Sequence, residues 1–380
     1  MRNDMTHHGN RHPRGSRVIK GLMLVLRKSL LMSATALASL ALSLALSLTL
    51  STSLSAAEHA TITLYHHISE TTPDSTSVPP QRFREQMEYL RDDGYHVMGL
   101  PQLLEAMRQR QSVPDKTVAI TFDDGYISIY DTAFPMLQEF GFPFTVFINT
   151  QPINDELNGY MSWEQIREMS GAGVTIANHM VNHPYMIEPL AGEDEASRIQ
   201  RLRTELLQSQ QEIAQRTGQD HRFMAYPYGE YDVPIKQMLA EEGFMGLGQQ
   251  SGAIGYDSDF LALPRFPFGG NYIDMNDFKQ KVKTLSFNLQ QVDPESPVTD
   301  SRNPQVTLQF APGNFSFQQI GCFASGQPMQ MEWLDQEAGI VRLSTEQEFT
   351  SRRFRYLCTA PDRDLRGSFY WYSKDWINPR

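Results

Sequence analysis

Two aspartates stand side by side in Thr121-Phe122-Asp123-Asp124-Gly125-Tyr126, directly after the apolar run Val118-Ala119-Ile120. Adjacent carboxylates repel, so a buried pair needs a cation or a shared proton to hold it. A solvated Asp-Gly turn is the plain alternative for the hexapeptide taken alone. Downstream, Val174-Thr175-Ile176-Ala177-Asn178-His179-Met180-Val181-Asn182-His183-Pro184 again runs from apolar residues into polar ones. A lone histidine would most often be structural. His179 and His183 are four apart, a spacing that puts both imidazoles on one side of a helical turn and is common among metal ligands. A catalytic zinc site takes three protein ligands and leaves one position for water. Two histidines and one aspartate supply that set, and the second aspartate then remains free as a base. Two further segments have the same form. Ala225-Tyr226-Pro227-Tyr228-Gly229-Glu230-Tyr231-Asp232 makes an abrupt turn whose amides can face a cleft. Leu64-Tyr65-His66-His67 places a histidine at a strand end, where it can donate a proton at neutral pH. His66 is taken as the functional member of that pair and His67 as packing.

These residues need a scaffold that brings strand ends together. Short apolar runs at 61–65, 117–121, 144–148, 174–177, 223–226 and 244–247 read as strands. Helical patterns lie between and after them, at 81–93, 100–109, 162–170, 195–217, 233–242 and 275–285. Ser162 with Gln165 forms a capping box at one helix start. Repeated β–α alternation implies a parallel sheet, open or closed into a barrel, whose carboxyl edge collects active-site residues. Residues 290–304 are rich in proline and polar side chains and read as a linker between a catalytic domain at 58–289 and a further domain at 305–380. Beyond them, alternating runs at 306–310, 329–333, 340–343, 354–358 and 368–372 predict a small all-β, sandwich-like domain. The aromatic strand Phe369-Tyr370-Trp371-Tyr372 is expected in its core, with Trp376 the more exposed ring.

Taken together, TFDDGY, then H-x-x-x-H-P, then PYG resemble the polysaccharide deacetylases of carbohydrate esterase family 4. The resemblance covers about residues 60–270. It implies an α/β fold, a distorted or incomplete (β/α) barrel, and hydrolysis by a water activated on a divalent metal. Carried over residue by residue, it implies Asp123 as general base and Asp124, His179 and His183 as metal ligands. The backbone amide of Tyr228 would form the oxyanion hole. The family's acid histidine usually lies in a Leu-x-His motif near the end of the domain. Here Leu64-Tyr65-His66 matches it at the front, which resembles the exported poly-N-acetylglucosamine deacetylases. The family pattern also has arginine where Ala225 stands, and Arg265 in Leu263-Pro264-Arg265-Phe266-Pro267 is the expected substitute for orienting Asp123. The implied substrate is N-acetylated polysaccharide, with exopolysaccharide of the poly-N-acetylglucosamine type first and peptidoglycan or chitin oligomers next. The rival readings are a glycan-binding protein on the same scaffold and a hydrolase of another acetylated polymer. The implied metal is Zn2+, although the Asp-His-His set also suits Co2+, Ni2+ or Fe2+.

Composition bounds the partners and the compartment. Residues 1–57 hold a basic stretch, the uncharged apolar run 29–50 and then Ser55-Ala56-Ala57, the order of a signal peptide cut after Ala57. The same apolar run is long enough to remain as a membrane anchor. Export to the periplasm, envelope or medium is expected either way. The chain carries a net charge of −11. Residues 1–57 contain seven of its basic residues and one acid, so the remainder stands at −17. A nucleic-acid partner needs a basic face and is not expected. The two cysteines, Cys322 and Cys358, read as one disulfide in an exported protein, with two buried thiols as the alternative.

Overall fold

The computed structural model describes residues 56–379. The segment read as an export signal lies outside the described residues, apart from Ala56 and Ala57, which pair with Pro114 and Val113. Among the described residues, no helix is long and apolar enough to cross a membrane.

Six parallel strands lie side by side in chain order: β1 (His59–Tyr65), β2 (Thr117–Phe122), β3 (Phe144–Ile148), β4 (Thr175–Asn178), β5 (Phe223–Ala225) and β6 (Met245–Leu247). They are rich in β-branched and aromatic residues and buried on both faces, as parallel strands between two apolar layers must be. On one face Ile62, Ala119, Phe147, Ala177, Ala225 and Leu247 meet inside the sheet. On the other, Tyr65, Ile120, Phe122, Val146, Ile148 and Ile176 pack under helices through Phe83, Met87, Leu137 and Ile166. Two strands absent from the sequence reading complete the edge beside β1. β7 (Ala253–Gly255) pairs with its first half antiparallel, and β8 (Phe266–Pro267) pairs with its second half in parallel. Leu263 also exchanges hydrogen bonds of 2.8 and 2.9 Å with Gly246 and Gly248 at β6. The segment 263–267 therefore carries the sheet from its last parallel strand back to its first, and the barrel closes through an irregular segment rather than a full β–α unit. This is the distorted barrel expected.

The helices follow their caps. Ser162 and Gln165 form the reciprocal box, with bonds of 3.3 and 2.8 Å. Asp194 and Asp232 cap the helices Glu195–Thr217 and Val233–Glu241. The helix expected over 275–285 stops at Lys281. Leu285–Ser286 instead joins the C-terminal strand Phe369–Ile377, because burying Leu285 there outweighs another helical turn.

The C-terminal region forms a five-stranded and a four-stranded sheet around a separate apolar cluster that includes Leu308, Phe310, Val341, Leu343, Tyr356 and Trp376. Leu289–Asp293, which overlaps the start of the stretch read as a linker, is a strand paired with Val306–Phe310. Its polar residues suit an exposed edge strand, and together with the prolines that follow it they read as a linker. Cys322 and Cys358 face each other on paired strands and form a disulfide across 36 residues. Two expectations for the aromatic strand are corrected. Trp371 lies on the face away from the β-domain core and packs on the barrel cluster instead. Trp376 is fully buried, its ring edge-on to Tyr356 at 5.8 Å. Strand alternation continues through Lys374 to Ile377, which turns Trp376 inward with the core-facing set.

Candidate active site

The expected residues come from the carboxyl ends of four strands of the parallel sheet. Asp123 and Asp124 follow β2, His179 follows β4, the Tyr228 turn follows β5, and His66 follows β1. Arg265 enters from the segment that closes the barrel. Four non-glycine residues here hold the left-handed conformation: Asp124 (φ 74°), Met180 (68°), His183 (52°) and Tyr228 (59°). Such positions cost about 1–3 kcal/mol each and persist where surrounding structure enforces them. Gly125 has φ 78°, and a Cβ there would lie 3.1 Å from Ile148. Only glycine lets the chain turn immediately after the acid pair.

The two acids have different environments. Asp123 is fully buried and gripped by Arg265, with Nη1 and Nη2 donating to its two oxygens at 2.7 and 2.8 Å. Arg265, itself fully buried, also donates to the Gly248 carbonyl at 2.9 Å and to Thr121 Oγ1 at 3.2 Å. Burial alone would raise the Asp123 pKa, but the guanidinium outweighs it and holds the carboxyl below its usual range. Arg265 thus pairs with Asp123, the partner that the family resemblance implied for it.

Asp124 faces the histidines. Its Oδ1 is 3.2 Å from His179 Nε2 and 3.3 Å from His183 Nε2. The ligating atoms of Asp124, His179 and His183 lie within 4.8 Å of one another. His179 Nδ1 is 2.8 Å from the Ala225 carbonyl, which makes Nδ1 the protonated nitrogen and turns the Nε2 lone pair toward Asp124. Asp124 Oδ1 and His179 Nε2 are buried yet have no aligned hydrogen-bond partner. Burial disfavours a charged His179, but Asp123 and Asp124 together push its pKa up. His183 is pushed down to about 4 by burial and by neighbouring His179. Two unpartnered buried atoms, one neutral imidazole and a negative field fit a divalent cation held by one oxygen and two nitrogens. The histidines reach this arrangement differently from the expectation. Residues 179–183 form an irregular loop rather than a helical turn, with left-handed Met180 and His183 swinging the second ring back toward the first.

His66 is partly exposed at the end of β1 and lies near Asp123, Asp124 and His183. His67 is stacked on Tyr126 at 3.8 Å and pushed down to about 4, chiefly by burial. Tyr228 packs its ring edge-on to His183 at 4.3 Å and stacks on Tyr185 at 4.0 Å. The sequence reading missed Tyr185, although it stands only two residues after His183. It also missed Arg352, which donates to both oxygens of the fully buried Glu230 at 2.8 and 2.6 Å. Arg352 lies 122 residues from Glu230 in the chain, and no local pattern connects them.

Residues 110–247 match the polysaccharide deacetylase family model. The chain is 25% identical over 256 residues to a poly-β-1,6-N-acetyl-D-glucosamine N-deacetylase of Escherichia coli K12, across 58% of this chain and 38% of that protein. It is 26% identical over 198 residues to the enzyme of the same name from Staphylococcus epidermidis, across 50% of this chain and 67% of that one. Among solved structures, the Streptococcus pyogenes deacetylase PplD in complex with acetate aligns at a TM-score of 0.53 and 23% identity. That alignment covers 59% of this chain and 98% of PplD, and it shows a shared fold.

Proposed function

We propose, for a chain whose residues 110–247 match the polysaccharide deacetylase family model, that it is a metal-dependent N-deacetylase of polysaccharide containing N-acetylglucosamine. Poly-N-acetylglucosamine is the first substrate, supported by the names of the relatives, with peptidoglycan or chitin oligomers next. The observation that carries the reading is the pairing of an Asp124–His179–His183 cluster with a separate, Arg265-clamped Asp123. A divalent cation, Zn2+ first, would supply Lewis acidity at the acetyl carbonyl and lower the pKa of water to about 7. The chain's own residues do the rest. Asp123, ionised and fixed by Arg265, accepts the proton of the attacking water. The Tyr228 backbone amide donates to the developing oxyanion, a contact of the kind worth about 3 kcal/mol. His66 gives a proton to the departing sugar nitrogen. The reaction belongs outside the cytoplasm, on the strength of the export signal read in residues 1–57 and of the Cys322–Cys358 disulfide.

The test is acetate and primary-amine release from N-acetylglucosamine oligomers by residues 58–380, with metal analysis of the same sample. Equal yields of acetate and amine are expected. Acetate without amine would indicate an esterase, and oligomer binding without acetate after metal loading would indicate a glycan-binding protein. In the same assay, His66→Ala should lower turnover by about 10²-fold, the usual contribution of a positioned acid. His67→Ala should cost less, since that ring packs on Tyr126. The reverse order would transfer the proton-donor role to His67.

A further inference from the structure

A cleft of about 750 Å3 lies between the barrel rim and the C-terminal sheets. On the barrel side it is walled by Tyr228, Gln249, Pro267 and Tyr272, and on the other by Phe323, Arg353 and Trp371 among others. Two of its wall residues lie beside the catalytic centre. The Tyr228 ring is 4.3 Å from that of His183, and Pro267 is paired with Leu64, two residues before His66. Five aromatic rings line it, of which Tyr272 is 59% exposed. Its charged lining is Lys281, Arg353 and Arg355 against Asp277 and Asp375, with Arg355 and Asp375 paired to each other. The volume falls in the range of about 300–1,000 Å3 typical of ligand clefts, where apolar faces carry the contact and a few polar groups orient it.

We infer that this cleft binds the polymer next to the residue being deacetylated, as a run of acetylated, uncharged hexosamine units seated on Tyr272 and Trp371. The inference rests on the deacetylase reading and adds to it a role for the C-terminal domain. Pyranose rings present flat C–H faces that pack on aromatic rings, while their hydroxyls reach polar groups at the rim. Arg355 is paired with Asp375 and Arg353 lies 3.7 Å from Glu230, so with Lys281 and Asp277 the lining is near neutral. It suits uncharged units rather than glucosaminium, the product of the reaction. The chain therefore holds acetylated stretches and lets deacetylated ones go.

The test compares the N-acetylglucosamine dimer and hexamer as substrates for the full chain. Trp371→Ala and Tyr272→Ala should each raise KM for the hexamer by about tenfold, the size of a lost ring contact. Neither should change kcat, the dimer reaction or the metal content. Trp371 also packs on Phe266 at 5.6 Å, so Tyr272→Ala, which removes a more exposed ring, is the variant less coupled to folding. Equal effects on dimer and hexamer, or none on either, would overturn the inference. Calorimetry of hexamer binding to the Asp123→Asn chain separates the two readings. Hexamer binding that Tyr272→Ala weakens, without acetate release by the wild type, keeps the cleft and removes the deacetylase. Acetate release no better for hexamer than dimer, without hexamer binding, does the reverse. The fully deacetylated hexamer should bind more weakly than the acetylated one, and equal or tighter binding would refute the preference for uncharged units.

Discussion

Asp123→Asn should lower turnover by about 10³-fold while leaving the metal content unchanged. The first half follows from proton transfer, since a positioned base contributes about 10²–10⁴-fold and an amide cannot take the proton. The second follows from the division between the acids, because Asp124, His179 and His183 all remain. Asp124→Ala should instead lose metal and activity together. Asp123 also has a structural consequence that ordinary bases lack. Its carboxylate is the partner of a fully buried guanidinium, and removing one member of such a pair costs about 3–5 kcal/mol. Denaturant unfolding of Asp123→Asn should show that loss. Adding Arg265→Met removes the stranded charge and should recover most of the stability, with no recovery of turnover. Full activity in Asp123→Asn would remove the base assignment. Unchanged stability would show that Arg265 finds another partner.

Much of this centre was legible in the chain because its residues occupy short segments after apolar runs. Val118-Ala119-Ile120 leads into Asp123-Asp124, and Thr175–Asn178 leads into His179, so local order carries the chemistry. Arg265 was legible only through the family resemblance, which has arginine where Ala225 stands, and through its place after a strand-like run. The route between the histidines was not legible. A spacing of four suggests a helix, but the chain passes through left-handed Met180 and His183, a conformation uncommon for any non-glycine residue and not signalled by the local sequence. β7 and β8 are three and two residues long, too short for periodicity to show. Trp376 was misplaced because five of the last ten residues are polar or charged, whereas its orientation depends on register with Phe354 across the pair of strands. Information of that kind lies between strands and cannot be read along one.

Arg352→Gln should reduce kcat by about 10²-fold without loss of metal, although Arg352 belongs to the C-terminal domain and touches none of the proposed ligands. Three arginines near the start of the strand Arg353–Pro361 reach into the barrel rim. Arg352 holds Glu230 through both oxygens and approaches Glu188 at 2.6 Å, five residues after His183. Arg353 donates to the Tyr228 carbonyl, and Arg355 donates to the Gln249 carbonyl and to Ser251 at 2.9 Å each. The turn that carries the oxyanion donor and the loop that carries His183 are therefore fastened to the same side chain. An error of about 1 Å in such positioning costs about 10²-fold. Gln at 352 cannot neutralise Glu230, which is fully buried, so stability should also fall by about 3–5 kcal/mol. Arg352→Lys should restore charge but not the two-pronged grip, and so recover stability more than kcat. The double variant Arg352→Gln/Glu230→Gln removes both charges and should regain stability while the turn stays loose and kcat stays low. If kcat and stability return together in the double variant, Arg352 only balances a charge. If stability returns alone, the C-terminal domain is part of the machinery that aims the Tyr228 amide.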